Sequence, residues 1–432
     1  MPSNVPNARR HLTDVFVNTW STLATFRSAR WVLTDQIIVS GCNFLSNILL
    51  ARILGIEEFG RYVLAWTIVL FVQGLQFSTV SSAMLSIGPK HDAEEARSYF
   101  GAIFVHQSIF GVVSAALTLV GCYIAANFFP EARLDTIALP LTGAVLCTQT
   151  QDFFRRYFFS VARPKTSLAI DVIRYVGQNV AILGLISWFP ANSVAALWLL
   201  TAAAALGLLA ALPSIPRFKY SLGMIVTVGL RGWHFSKWLI ASTLLFTIFN
   251  TVFSFAAGIL LGTSAVGAMR AAFTLVGIAN VVIEASVNVI SAGASRKFMS
   301  KGRHELVAYL KKVTAFGVVA LASLMAAIVI APKYWLRLIF GPEFGAYWIL
   351  VLWYAGYEIL VFLALIMGTW YRTLEQTRSI FYANLASAVL SLAVSYPLIV
   401  HFGVAGAAAG LVMTQGTQIL YLLMRARLTV AR

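Results

Sequence analysis

The chain has 432 residues, 59% of them hydrophobic and 11% charged, with a formal net charge of +16 and a mean hydropathy of +0.81. A soluble protein of this length carries about 25% charged residues. The deficit runs through the whole chain, which excludes a soluble domain with a single anchor and points to a polytopic membrane protein. The basic excess would suggest nucleic acid in a soluble chain. Here it reads as lysine and arginine gathered on one side of a membrane, and no nucleic-acid partner is expected.

Residues 1–30 are too polar to span, yet Leu12, Val15, Phe16, Thr19, Trp20, Leu23 and Phe26 recur at helical spacing between flanking arginines. That pattern predicts a cytoplasmic segment lying as a helix on the membrane surface. No cleavable signal peptide is expected, because the first strongly apolar run is too long and lacks a small-residue cleavage site. About twelve spans of bilayer length follow. Their centres fall near residues 43, 74, 112, 148, 178, 203, 249, 280, 319, 358, 387 and 414. Prolines such as Pro89, Pro130, Pro164, Pro190, Pro213 and Pro332 sit at span ends, while Pro140 and Pro397 fall inside spans as candidate kinks.

One set of gaps, together with both tails, holds most of the basic residues, including Lys90, Arg163, Arg217, Lys219, Arg231, Arg296, Lys297 and Arg303. The alternate gaps hold only Arg61, Arg133, Lys333 and Arg337. Both termini of a multi-pass membrane protein are therefore expected in the cytoplasm. The organisation reads as an N-terminal lobe over 31–213, an interfacial linker over 214–236, a C-terminal lobe over 237–424 and a cytoplasmic tail over 425–432. Cys42, Cys122 and Cys147 lie in apolar segments without paired or ligand spacing and read as core residues. No cofactor, metal site or catalytic residue is expected.

The two lobes repeat one another. Leu54-Gly55 with Gly60 recurs as Leu261-Gly262 with Gly267, and Gln36, Ser40, Asn43 and Asn47 on one helix face recur as Thr243, Thr247, Asn250 and Ser254. Gln73 and Ser81 likewise map onto Asn280 and Asn288. Polar stripes in membrane helices face a neighbouring helix or a wet cavity. Gln36, Asn43, Asn47, Gln73, Asn250, Asn280 and Asn288 are thus candidate cavity-lining residues. Six spans per repeat is even, so the lobes should be related by an axis along the membrane normal, making an all-α protein of two six-helix lobes in a parallel repeat.

Charge inside the apolar spans is costly and marks candidate sites. The stretch Gln149–Gln178 holds Asp152, Arg155, Arg156, Asp171 and Arg174. At about 1.5 Å per residue, Arg156 and Asp152 lie roughly 10 and 16 Å deep, and Asp171 and Arg174 roughly 9 and 14 Å. A packed hairpin would then pair Arg156 with Asp171 and Asp152 with Arg174, leaving Arg155 free. Arg155, Arg156 and Arg174 are candidate ligands of an anionic group such as a phosphate, which the resemblance described below would make a diphosphate; the alternative is a self-neutralised hairpin with Arg155 reaching the interface. The second lobe has Met367, Ala383 and Ala386 where the first has Arg155, Asp171 and Arg174. Glu284, Glu358, Asp152 and Asp171 are candidate ion-coupling acids; for the two glutamates the alternative is a protonated acid bonded to a neighbouring helix. Asp35 reads as a helix-start residue, and Arg52 and Arg270 as anchors.

The stretch Thr34–Tyr62, TDQIIVSGCNFLSNILLARILGIEEFGRY, resembles the opening helix and turn of bacterial polysaccharide exporters. These form the O-antigen and exopolysaccharide flippase branch of the multidrug/oligosaccharidyl-lipid/polysaccharide exporter superfamily. The DQ pair, the NF-N series and the AR-LG-EFG-Y turn carry the likeness, and the layout extends it over nearly the whole chain. The resemblance implies alternating-access transfer of an undecaprenyl-diphosphate-linked oligosaccharide for O-antigen, capsule, lipopolysaccharide or exopolysaccharide synthesis. It also implies an ion gradient as drive, a cationic cavity, and a polymerase and chain-length regulator of the same pathway as partners. A multidrug or other lipid-linked precursor exporter is the close alternative. A membrane glycosyltransferase or polymerase fits less well, since neither a large periplasmic loop nor an acidic catalytic cluster is present.

Overall fold

Glycine sets the points at which the chain folds back. The computed structural model describes the backbone of residues 6–88, 91–128, 133–188, 190–374 and 376–430. Helix α1 (Pro6–Gln76) is interrupted at Gly55, with φ 72° and ψ 173°. Gly262, with φ 89° and ψ 171°, separates α8 (Leu222–Leu261) from α9 (Thr263–Val276). These are the equivalent glycines of the sequence repeat, and they share one backbone shape that only a residue without Cβ adopts freely. The repeat is therefore structural. Gly403 (φ 58°, ψ −139°) does the same inside α13 (Thr377–Val430), and it, rather than Pro397, turns that helix. Helix α4 (Leu134–Ser160) runs on through Pro140.

Between α1 and α4 come α2 (Ser82–Ile87) and α3 (Ala93–Phe128). The first lobe is completed by α5 (Pro164–Asp171), α6 (Gly177–Trp188) and α7 (Ser193–Ala211). After α9, the second lobe continues with α10 (Ile278–Val329), α11 (Pro332–Ile339) and α12 (Ile349–Thr373) before α13. Helices up to α7 pack chiefly on one another, as do those from α8 onward, giving two lobes. There is no strand among the described residues.

Seven described helical segments are long and apolar enough to cross a bilayer. Two of them, Arg30–Ile87 and Arg378–Ala426, are too long for one crossing and contain the turns at Gly55 and Gly403. Residues 6–30 continue helically into the first of these, while the side chains of 6–29, on which the surface-helix expectation rests, lie outside the described residues. Helix α8 begins at Leu222, so the segment joining the lobes is shorter than its composition suggests. It is seated on α3, where Lys219 N–H donates to the Arg97 carbonyl at 3.3 Å and Phe218 enters an aromatic cluster with Phe104 and Tyr157.

The lobes meet most tightly at the equivalent glycines. A Cβ on Gly60 would collide with the Thr263 carbonyl, and one on Gly267 with the Ile56 carbonyl. Backbone lies on backbone at this end, called the turn end below; the opposite end carries the Phe218–Lys219 crossing and is called the linker end. Elsewhere along the seam, the Ser78 and Thr243 hydroxyls lie 2.6 Å apart, with Ser78 in a π turn over Phe77–Ser81.

Candidate functional site

Arg155 sits at the centre of the charged hairpin. Its Nη2 donates to Asp35 Oδ2 at 2.5 Å and its Nε to Asp171 Oδ2 at 2.6 Å. Both carboxylates are fully buried. Asp171 Oδ1 also accepts from Gln151 Nε2 at 2.6 Å, and the Gln151 carbonyl oxygen in turn accepts from Arg174 Nη1. Arg156 bonds Asp152 one turn back on the same helix at 2.6 Å and lies over the Phe77 ring at 4.4 Å.

The crosswise pairing expected from depth is therefore replaced at every position. Arg156 has Asp152 available at i−4 without crossing to another helix, and that local partner wins. Arg174 lies in a π turn over Val172–Val176, which shifts its direction relative to an ideal helix and brings it to Gln151. Arg155, expected to be free, has two carboxylates. Asp35 is not a helix-start residue, because α1 already runs helically from Pro6. It belongs to the face Asp35, Val39, Ser46 and Leu50 that α1 buries in its own lobe, where Ser46 also meets Asn179 at 3.1 Å and Gln178 at 2.8 Å. With Asp35 included, the cluster holds Asp35, Asp152 and Asp171 against Arg155, Arg156 and Arg174, and is neutral overall.

A further cation at membrane depth is Arg270. It lies on α9 at the seam and its Nε donates to Asn47 Oδ1 on α1 at 3.2 Å. The neutral phenols of Tyr62 and Tyr354 lie near it, and no carboxylate pairs with it among the described residues. Gly262 and Gly55 precede and follow this pair by equal chain lengths, so both residues sit roughly 12 Å in from the turn end. The anchor role expected of Arg270 is displaced: it bridges the lobes inside the protein.

The polar stripes do unequal work. On α1, Gln36 and Asn43 are exposed beside Asn47, on the face turned away from the first lobe's core. On α8, Thr243 packs on Ser78 and Asn250 accepts from Tyr357 O–H at 3.1 Å within its own lobe. Gln73 is half-buried. Asn280 donates to Glu358 Oε1 at 2.8 Å; Glu358 is fully buried, and its Oε2 has no hydrogen-bond partner among the described residues. The side chains of Glu284 and Asn288 lie outside the described residues.

The turn end is locked by polar contacts as well. Arg52 donates from Nε to the Ile339 carbonyl at 2.7 Å and from Nη2 to the Leu338 carbonyl, at the C-terminus of α11 in the opposite lobe. Glu343 Oε1 accepts the Ile56 N–H at 2.9 Å, beside the Gly55 turn. Sequence reasoning missed Asp35, Gln151, Arg270 and the partner of Arg52. For Asp35 a signal existed in its spacing with Val39, Ser46 and Leu50; for the others nothing local distinguishes them.

The family of polysaccharide biosynthesis proteins matches over residues 26–291. Among curated proteins none matches the sequence. In fold the chain is similar to an inward-facing multidrug resistance transporter of the MOP superfamily, with 14% identity, 93% of this chain and 98% of that one covered, and a TM-score of 0.72. It is also similar to the lipid II flippase MurJ in an inward closed conformation (12% identity, 93% and 87% covered, TM-score 0.68). An outward-facing multidrug transporter superposes less well (13% identity, 94% and 95% covered, TM-score 0.57).

Proposed function

The chain belongs to the polysaccharide biosynthesis protein family, and from that premise we propose that it is a flippase of the bacterial inner membrane. Its cargo in this reading is an undecaprenyl-diphosphate-linked oligosaccharide, moved for O-antigen, capsule or exopolysaccharide synthesis by alternating access of the lobes. No bond is made or broken.

The observation that carries the reading is Arg270, a cation without a carboxylate partner among the described residues, on the seam between lobes that are closed just above it. A guanidinium held at membrane depth is costly unless something anionic visits it, and its planar fork suits phosphate oxygens. Taking the turn end as periplasmic, as the distribution of lysine and arginine favours, the lobes are closed toward the periplasm, and the lipid-linked unit would be loaded from the cytoplasmic side. Gln36, Asn43 and Asn47 then offer hydrogen bonds to sugar hydroxyls along the approach. Arg155, Arg156 and Arg174, being partnered, hold the first lobe together in this reading instead of binding the diphosphate. Glu358, buried with one oxygen unpartnered, is the acid proposed for ion coupling.

The test is Arg270→Ala in cells whose own exporter is deleted, with periplasmic lipid-linked oligosaccharide measured by susceptibility to an external glycosidase. The expected result is loss of flipped product at an unchanged protein level, with partial recovery in Arg270→Lys. Normal flipping in Arg270→Ala would overturn the assignment, and loss of dye extrusion without loss of flipping would favour a multidrug exporter.

A further inference from the structure

Beyond the turn at Gly55, α1 presents three faces. Leu64 and Ile68 line a groove shared with α3 and α8. Val69 and Val72 are packed into the apolar core. The third face carries Tyr62, Trp66 and Gln73, spaced by four and seven residues on one side of the helix. Tyr62 fixes where that side points, because its phenol lies near Arg270. The face is therefore turned to the seam where Arg270 meets Asn47.

Tyr62 is buried, at 4% exposed, whereas Trp66 is only half-buried. The two rings are stacked, with centroids 6.0 Å apart and planes 22° from parallel. Counted from Gly55 at about 1.5 Å per residue, Trp66 lies roughly 16 Å in from the turn end, against roughly 12 Å for Arg270. The indole thus sits just below Arg270, toward the linker end, and Gln73 is two turns farther along the same face.

A partly uncovered indole beside an arginine and amides offers an apolar surface with a polar N–H at its edge. A pyranose matches both parts. Its C–H bonds make an apolar face that lies flat on an indole, and its hydroxyls point outward, toward groups such as the amides of Asn47 and Gln73. The spacing matches as well, since a helical turn of about 5.4 Å is close to the length of one sugar ring. Neither a bare diphosphate nor a polyprenyl tail presents that combination.

We propose that Trp66 is the platform for the first sugar of the cargo, the one bonded to the diphosphate, and that Tyr62 holds the indole in place to receive it. The inference rests on the reading of Arg270 as the phosphate site and adds the residue that tells a glycosylated carrier from a bare one. Stacking reads the presence of a ring more than its hydroxyl pattern, so the platform serves pyranoses as a class.

The experiment uses the full chain in nanodiscs and compares its affinity for two probes, undecaprenyl diphosphate and undecaprenyl-diphosphate-linked N-acetylglucosamine. The wild type is expected to bind the glycosylated probe about tenfold more tightly, the scale of one aromatic contact. Trp66→Leu should remove that preference and leave affinity for the bare diphosphate unchanged. Trp66→Phe, which keeps a smaller ring in the same packing, should retain part of it, and it carries the test if Trp66→Leu lowers the melting temperature. Arg270→Ala should weaken both probes alike. No preference in the wild type, a preference that survives both Trp66 variants in full, or equal loss of both probes in Trp66→Phe overturns the inference while the phosphate site stands. If Arg270→Ala weakens neither probe, the reading of the site fails, and the inference falls with it.

Discussion

Arg155 joins Asp35 of α1 to Asp171 of α5, at 2.5 and 2.6 Å, and neither carboxylate reaches solvent. Removing the arginine leaves two buried acids facing one another without a cation. Breaking a buried pair by deleting one partner costs about 3–5 kcal/mol, so Arg155→Ala is expected to lower the melting temperature and the yield of folded protein. Arg155→Ala combined with Asp35→Asn and Asp171→Asn should recover a large part of that loss, because the uncompensated charge is gone. Thermal unfolding in detergent checks it; a triple variant no more stable than Arg155→Ala would show that the cluster's charge is not what matters.

Arg270 gives the opposite expectation. Among the described residues it has no carboxylate to leave behind, only the Asn47 bond at 3.2 Å. Arg270→Met should therefore hold or raise the melting temperature while transport falls. A fall in both would mean that Arg270 serves the packing of the seam.

Gly60 and Gly267 allow the lobes to touch backbone to backbone. Gly60→Val is expected to open the turn end, since the added atoms have only the Thr263 carbonyl to move against. Spin labels at Arg133 and Lys333 should report a longer or broader distance in the variant. The same distance distribution in both proteins would sink the idea that this contact closes the molecule.

Arg52 and Glu343 make the same end adhesive. Hydrogen bonds to charged groups contribute about 1.5–3 kcal/mol each, and 1.4 kcal/mol is about tenfold in a population. Arg52→Ala should thus shift the closed fraction by about tenfold or more, and Glu343→Gln by less, because the amide oxygen can still accept from Ile56 N–H. Hydrogen exchange at residues 332–347 provides the measurement, with faster exchange expected in Arg52→Ala.

Glu358→Gln keeps an oxygen for Asn280 and removes the titrating proton. The fold is expected to survive, and the dependence of transport on pH to flatten. An unaltered pH profile in vesicles would make Glu358 a structural acid.

Much of this was legible in the amino-acid sequence. Apolar runs of bilayer length must become helices, because no other open structure satisfies the backbone in lipid. The LGIEEFG and LGTSAVG repeats located the two turns that the backbone forms at Gly55 and Gly262, since positive φ demands glycine there. That the stretch from Gln149 to Gln178 would hold its charges in a network was also readable, for isolated charge at that depth is too costly. The pairing was not. Depth along a helix fixes how far in a residue sits, but not the direction of its side chain. A π turn at Arg174, an i−4 partner for Arg156 and the arrival of Asp35 from α1 each redirected one bond. Asp35 meets Arg155 only after α1 is packed against α4 and α5, and Arg270 meets Asn47 only once the lobes have closed on their glycines. The sequence by itself determined which segments are apolar enough to enter the membrane and where the two equivalent glycine turns lie, through local hydrophobicity and backbone sterics. Only the tertiary structure decided which charges neutralise one another and which arginine remains, because that depends on the azimuth of each helix and on distances between segments far apart in the chain.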